Sequence, residues 1–128
     1  MALDKNFPIL VVDGQMTMLR IERNLLMQIG LINVDLVQDG SAAIRRAKHK
    51  TYRLIISNWD MSPMTGLELL RLVRADKRLK ATPFIMVTTE SNTQTLVLAK
   101  QAGISNHIIK PFNSDTLKEK ITAVLGAF

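Results

Sequence analysis

Five short apolar runs alternate with five stretches of helical periodicity, and that alternation leaves this chain of 128 residues few folds to adopt. The runs fall at residues 8–12, 34–37, 54–58, 83–88 and 104–109, rich in Val, Ile and Leu. Unbroken apolar runs of this length read as strands buried on both faces, the condition of strands in a parallel sheet. Between the first two runs, Met18, Ile21, Leu25, Leu26 and Ile29 recur at helical spacing over residues 17–29, closed by Gly30. A second helix is expected over 41–50, packing through Ala42, Ala43, Ile44 and Ala47. A third is expected over 67–75, with Leu67, Leu70 and Val73 inward and Leu69 and Leu72 widening the stripe. Ser91 with Gln94 forms a capping box opening a fourth helix to Ala102 and Gly103. Asn113 or Ser114 caps a fifth that runs through Leu125. Asp13-Gly14 and Asp39-Gly40 are turn dipeptides, and residues 60–66, with Pro63 and Gly66, read as a loop.

Right-handed crossovers reduce five such units to a doubly wound α/β fold. The expectation is a five-stranded parallel, flavodoxin-like sheet of order 2-1-3-4-5, forming a single domain over residues 1–128. Hydrophobic residues at 47% and charged residues at 22% suit a globular core. The absence of cysteine excludes disulfides, a thiolate nucleophile and zinc–thiolate sites. No apolar run is long enough to span a bilayer, and the short polar N-terminus lacks the order of a signal peptide. A soluble, cytoplasmic protein is expected.

In open α/β sheets ligands bind beyond the carboxyl ends of the central strands. The residues delivered there are Asp13, Asn58, Thr88 with Thr89, and Lys110, while Asp60 follows two residues after Asn58. Carboxylates suit a hard cation such as Mg²⁺, and a hydroxyl with an ammonium suits a phosphoryl group or another small anion. Singly, each residue has an ordinary structural role as a cap or a solvated charge. Their convergence at one edge favours a site.

The pieces Val11-Val12-Asp13, Ile56-Ser57-Asn58-Trp59-Asp60-Met61, Met64-Thr65-Gly66-Leu67-Glu68-Leu69-Leu70, Ile85-Met86-Val87-Thr88-Thr89-Glu90, Gln101-Ala102-Gly103 and Lys110-Pro111-Phe112 occur in a specific order. On these pieces, from Pro8 almost to the C-terminus, the chain resembles the CheY-like receiver domains of bacterial two-component signalling. Trp59 and the chain length point to the chemotaxis branch. The resemblance implies that Thr88 is the switch hydroxyl and that Lys110 pairs with the phosphoryl group, followed by Pro111 where the family often has a cis peptide. It also places the switch aromatic of the last strand on His107.

Two positions depart from that pattern. The family's phospho-accepting Asp falls on Asn58, and the second of two consecutive metal-binding acids falls on Gly14. An amide cannot form an acyl phosphate and is a weaker ligand for Mg²⁺. The family's third metal ligand is the backbone carbonyl of the residue at Asp60. The Asp60 carboxylate with Asp13 would hold at most a weakened cation site, and the favoured reading turns Asp60 to solvent. Lys110 is expected to pair directly with Asp13.

The resulting expectation is a stand-alone receiver that acts as a phosphorylation-independent adaptor, with no enzymatic activity and no cofactor, or only weakly bound Mg²⁺. Its partner would be a protein: a histidine kinase, a flagellar motor component or another regulator. A monomer is expected. One alternative is an ordinary phospho-accepting regulator carrying a deliberately introduced Asp-to-Asn change at 58, against which Gly14 counts.

The other alternative arises from charge. The net charge is +6 and the isoelectric point near 10. Arg45, Arg46, Lys48, Lys50 and Arg53 crowd residues 41–53 without an acid, and Arg71, Arg74, Lys77, Arg78 and Lys80 lie within 71–80 against Asp76 alone. Such runs are usually solvated faces. A patch of Arg45, Arg46, Lys48, Lys50, Arg53, Arg74 and Arg78 would otherwise bind an anionic ligand such as a cyclic dinucleotide. Nucleic acid is not an expected partner, because no aromatic beyond Tyr52 interleaves the charges.

Overall fold

The computed structural model describes residues 3–89 and 93–128. Strands β1 (Ile9–Val12), β2 (Val34–Val37), β3 (Leu54–Asn58), β4 (Phe84–Thr88) and β5 (Asn106–Ile109) alternate with helices α1 (Met16–Gln28), α2 (Gly40–His49), α3 (Gly66–Ala75), α4 (Thr93–Ala102) and α5 (Ser114–Leu125). All four strand pairings are parallel, and the order is β2-β1-β3-β4-β5, the doubly wound topology expected of the sequence. The central strands β1, β3 and β4 are buried along their whole length, which is why their sequences are continuous rather than alternating.

Side chains alternate across the sheet and feed two cores. One face gathers Leu10, Ile55, Phe84 and Met86 with Ala43, Ala47, Leu69, Leu70 and Val73 of α2 and α3. The other gathers Ile9, Val11, Ile56, Val87 and Ile108 with Leu19 and Leu26 of α1 and Leu117 and Ile121 of α5. Each fully buried Leu or Ile side chain contributes about 1.5–3 kcal/mol.

Polar residues start the helices where the sequence provides them. The Asp39 side chain accepts from Ala42 N at 2.7 Å, and that of Asn113 from Thr116 N at 2.8 Å. Thr65 and Glu68 form a reciprocal capping box at α3. Ser91, half of the box expected at α4, lies outside the described residues. Gly66 is required by close approach, since a Cβ there would collide with the carbonyl oxygen of Asn58.

The packing faces of two helices differ from expectation. On α1 the buried residues are Leu19, Glu22 and Leu26, whereas Ile21 is 44% exposed. Of the expected stripe, Leu26 is buried and Leu25 and Ile29 pack against the core, whereas Ile21 turns outward and Leu19 takes a core place that the stripe did not include. On α3, Leu72 faces outward, while Leu67, Leu69, Leu70 and Val73 are buried.

Candidate functional site

Parallel strands of similar length end together, so the register decides what meets at the carboxyl edge. Val12 pairs with Ser57, Asn58 with Val87, and Thr88 with Ile109. Asp13, Asn58, Thr88 and Lys110 therefore end on neighbouring strands, and Lys110 N donates to Thr88 O at 2.8 Å. Asp13, Asn58 and Thr88 are all buried. The Lys110–Pro111 peptide is cis.

Within this crevice each Asp13 carboxylate oxygen has one polar contact. Its Oδ1 accepts from Gln15 N at 3.0 Å, and its Oδ2 lies 3.4 Å from Lys110 Nζ. Asn58 turns its amide along its own loop, and Nδ2 donates to the backbone carbonyl of Asp60 at 2.9 Å. The Asp60 side chain is on an exposed residue.

For a hard cation such as Mg²⁺ this donor set is reduced, with Asp13 as its one buried carboxylate among the strand ends. Of the oxygens available, those of Asp13 face an N–H and an ammonium, and that of Asp60 already accepts from an amide. Among the described residues, no group of three or more His, Cys, Asp or Glu could hold a metal ion.

The sequence and the sheet order 2-1-3-4-5 match a known family. The family model for the response regulator receiver domain covers residues 9–122. The chain belongs to the receiver family. The receiver is 39% identical over 122 residues to the chemotaxis protein CheY-3 of Vibrio cholerae, spanning 95% of this chain and 94% of that relative. It is 41% identical over 116 residues to the chemotaxis protein CheY of Pseudomonas aeruginosa, spanning 91% of this chain and 94% of that one. The solved structure of Vibrio cholerae chemotaxis protein CheY4 superposes with a TM-score of 0.88 at 31% identity, covering 94% of this chain and 99% of the other. This is a CheY-like receiver of the chemotaxis and two-component signalling class.

One residue of the receiver's crevice region escaped sequence reasoning. Glu22 is only 2% exposed, and neither of its carboxylate oxygens has a hydrogen-bond partner. Burial pushes its carboxyl up to about 8, the charge of Asp13 adds to the rise, and Lys110 opposes it. The signal was present as a Glu three residues after Leu19 and four before Leu26, but charge conventionally marks the outer face of a helix.

His107, on β5 beside Met86, is partly buried. Burial holds its imidazole below the usual range, and the nearby charges of Lys120 and Lys100 act the same way. Above the crevice, Met18, Ile21 and Leu25 of α1 line an apolar groove of about 410 Å³ with Thr89, Lys110 and Phe112. In its α1 wall Ile21 is exposed, while Leu25 is partly buried and also packs against the core.

The basic residues differ in their partners. Lys50 Nζ lies 2.8 Å from Asp35 Oδ2 and Arg46 Nη1 lies 3.8 Å from it, with Tyr52 donating to the same oxygen at 2.6 Å. Arg74 donates to the carbonyls of Gly103, Lys80 and Thr82 and so ties α3 to two loops. Arg45, Lys48, Arg53 and Arg78 make no side-chain hydrogen bond or ion pair among the described residues. No helix among the described residues is long and apolar enough to cross a membrane.

Proposed function

We propose that this receiver signals without aspartyl phosphorylation, as an adaptor that binds a protein partner such as a histidine kinase, a flagellar motor component or another regulator. The observation that carries the reading is the Asn58 amide, on the residue where the family resemblance puts the acceptor, bonded to the Asp60 carbonyl. Asn58 offers no carboxylate to accept a phosphoryl group, and its N–H occupies the carbonyl that the family uses for its cation. The Lys110–Asp13 contact supports it further, because it gives the lysine a resident partner without metal or phosphate. The cation site is accordingly weak or lost. The partly exposed apolar wall beside Lys110, with Ile21 at its most open point, supports the protein-binding half of the proposal. The adaptor acts as a cytoplasmic monomer.

The test is incubation with acetyl phosphate and Mg²⁺, read by intact mass. The expected result is an unchanged mass. A phosphoryl adduct mapped to the segment around Asn58, with the amide confirmed by peptide sequencing, would overturn the proposal.

A further inference from the structure

The edge of the sheet opposite the crevice carries a second concavity. Arg53 precedes β3, Thr82 and Pro83 precede β4, and the last turn of α5 returns to the same edge with Val124 and Leu125. Together with Arg78, from the segment after α3, these residues line a cavity of about 400 Å³. That volume lies within the range of small-molecule sites.

Its chemistry is two-sided. Arg53 and Arg78 bring two positive charges, and no acid lines the cavity. Neither guanidinium has an ion pair or hydrogen bond among the described residues, unlike Arg46, Lys50 and Arg74. Their backbones are held in place: Arg53 N donates to Pro8 O at 2.9 Å, and Arg78 N to Asp76 Oδ1 at 2.8 Å. The opposing charges are the Asp76 carboxylate, which holds the Arg78 N–H from outside the cavity lining, and the C-terminus of α5, with a partial charge of roughly −0.5. Pro83, Val124 and Leu125 supply an apolar wall.

We propose that this cavity binds a nucleoside monophosphate, with Arg53 and Arg78 clamping the phosphate and the Pro83–Val124–Leu125 wall covering the base. Guanidiniums pair bidentately with phosphate oxygens and lie flat against planar rings, which suits a ligand with a charged head and a flat body. The site lies at the far edge of the sheet and does not depend on how the crevice signals.

The test is an amide-resolved NMR titration of the full chain with AMP and with GMP, with adenosine and inorganic phosphate as separate arms. The expected result is saturable shifts at Arg53, Thr82 and Leu125 for at least one nucleotide, with a dissociation constant below about 1 mM, and unmoved signals at Trp59 and Lys110. The double variant Arg53→Ala, Arg78→Ala is expected to bind at least about tenfold more weakly while keeping the rest of its spectrum, since both side chains are exposed. Four outcomes would overturn the site: no saturable shift with either nucleotide up to about 5 mM, phosphate or adenosine alone binding as tightly as the nucleotide, shifts centred on Lys110, or undiminished binding by the double variant.

Discussion

The side-chain amide of Asn58 donates to the carbonyl oxygen of Asp60 at 2.9 Å, so the residue that ends β3 is hydrogen-bonded to its own loop. A carboxylate at 58 cannot donate, and would release that carbonyl. Gly14 has room for a second acid, because a Cβ there would meet only Gln38 O at 3.9 Å. The double variant Gly14→Asp, Asn58→Asp is therefore expected to take up a phosphoryl group from acetyl phosphate in Mg²⁺. Its Mg²⁺ affinity, followed by Trp59 fluorescence, should rise at least about tenfold over the parent as two carboxylates enter the site. A variant that folds but shows neither effect would mean that more than these two positions separates the crevice from a working acceptor.

Glu22 predicts a particular pH dependence of stability. Its carboxyl has an ordinary value of 4.5 and is raised to about 8 in the folded chain. Below 4.5 it is protonated in both states and ionisation costs nothing. As the pH rises above 4.5 the unfolded chain releases the proton while the folded chain keeps it, so stability falls until about pH 8 and then levels off. The full loss is about 3–5 kcal/mol at 1.36 kcal/mol per pH unit. Replacing Glu22 by Met should flatten urea midpoints between pH 5 and 8 and raise stability by a similar amount at the alkaline end. Parallel pH curves for parent and variant would show that Glu22 does not ionise across this window.

Lys110 counters the charge of buried Asp13. Lys110→Met leaves that carboxylate with only the Gln15 N–H, and is expected to cost about 2–4 kcal/mol by urea denaturation. Because Lys110 also opposes the rise at Glu22, the alkaline end of the stability curve should move to higher pH in this variant. An unchanged midpoint would show the 3.4 Å contact to be energetically empty.

Arg74 and Arg45 look alike in the sequence and should behave differently. Arg74→Ala strands three carbonyl acceptors, those of Gly103, Lys80 and Thr82, and should cost about 2–4 kcal/mol. Arg45 is exposed and unpaired among the described residues, so Arg45→Ala should stay within about 0.5 kcal/mol of the parent. Thermal melts of the two single variants decide this.

The fold was legible because strand character here rests on local composition. Runs such as Ile9–Val12 and Leu54–Asn58 can only be buried on both faces, and handedness then sets the order. The edge that gathers Asp13, Asn58, Thr88 and Lys110 follows from that order, so the crevice was legible too. Side-chain partnerships were not. Nothing in residues 71–80 distinguishes Arg74 from its neighbours, because its acceptors are backbone carbonyls 6, 8 and 29 residues away.

The sequence by itself determined the strand order, the edge that carries the crevice, and the amide at the end of β3. These follow from apolar runs and residue identity alone. The tertiary structure decided how α1 is rotated, and with it that Glu22 lies buried without a partner while Met18, Ile21 and Leu25 line a surface groove. Periodicity offers two adjacent stripes on that helix. The choice between them depends on how Leu19 and Leu26 seat with the strands and with Leu117 and Ile121 of α5, which are distant in the chain and close only once the sheet has formed.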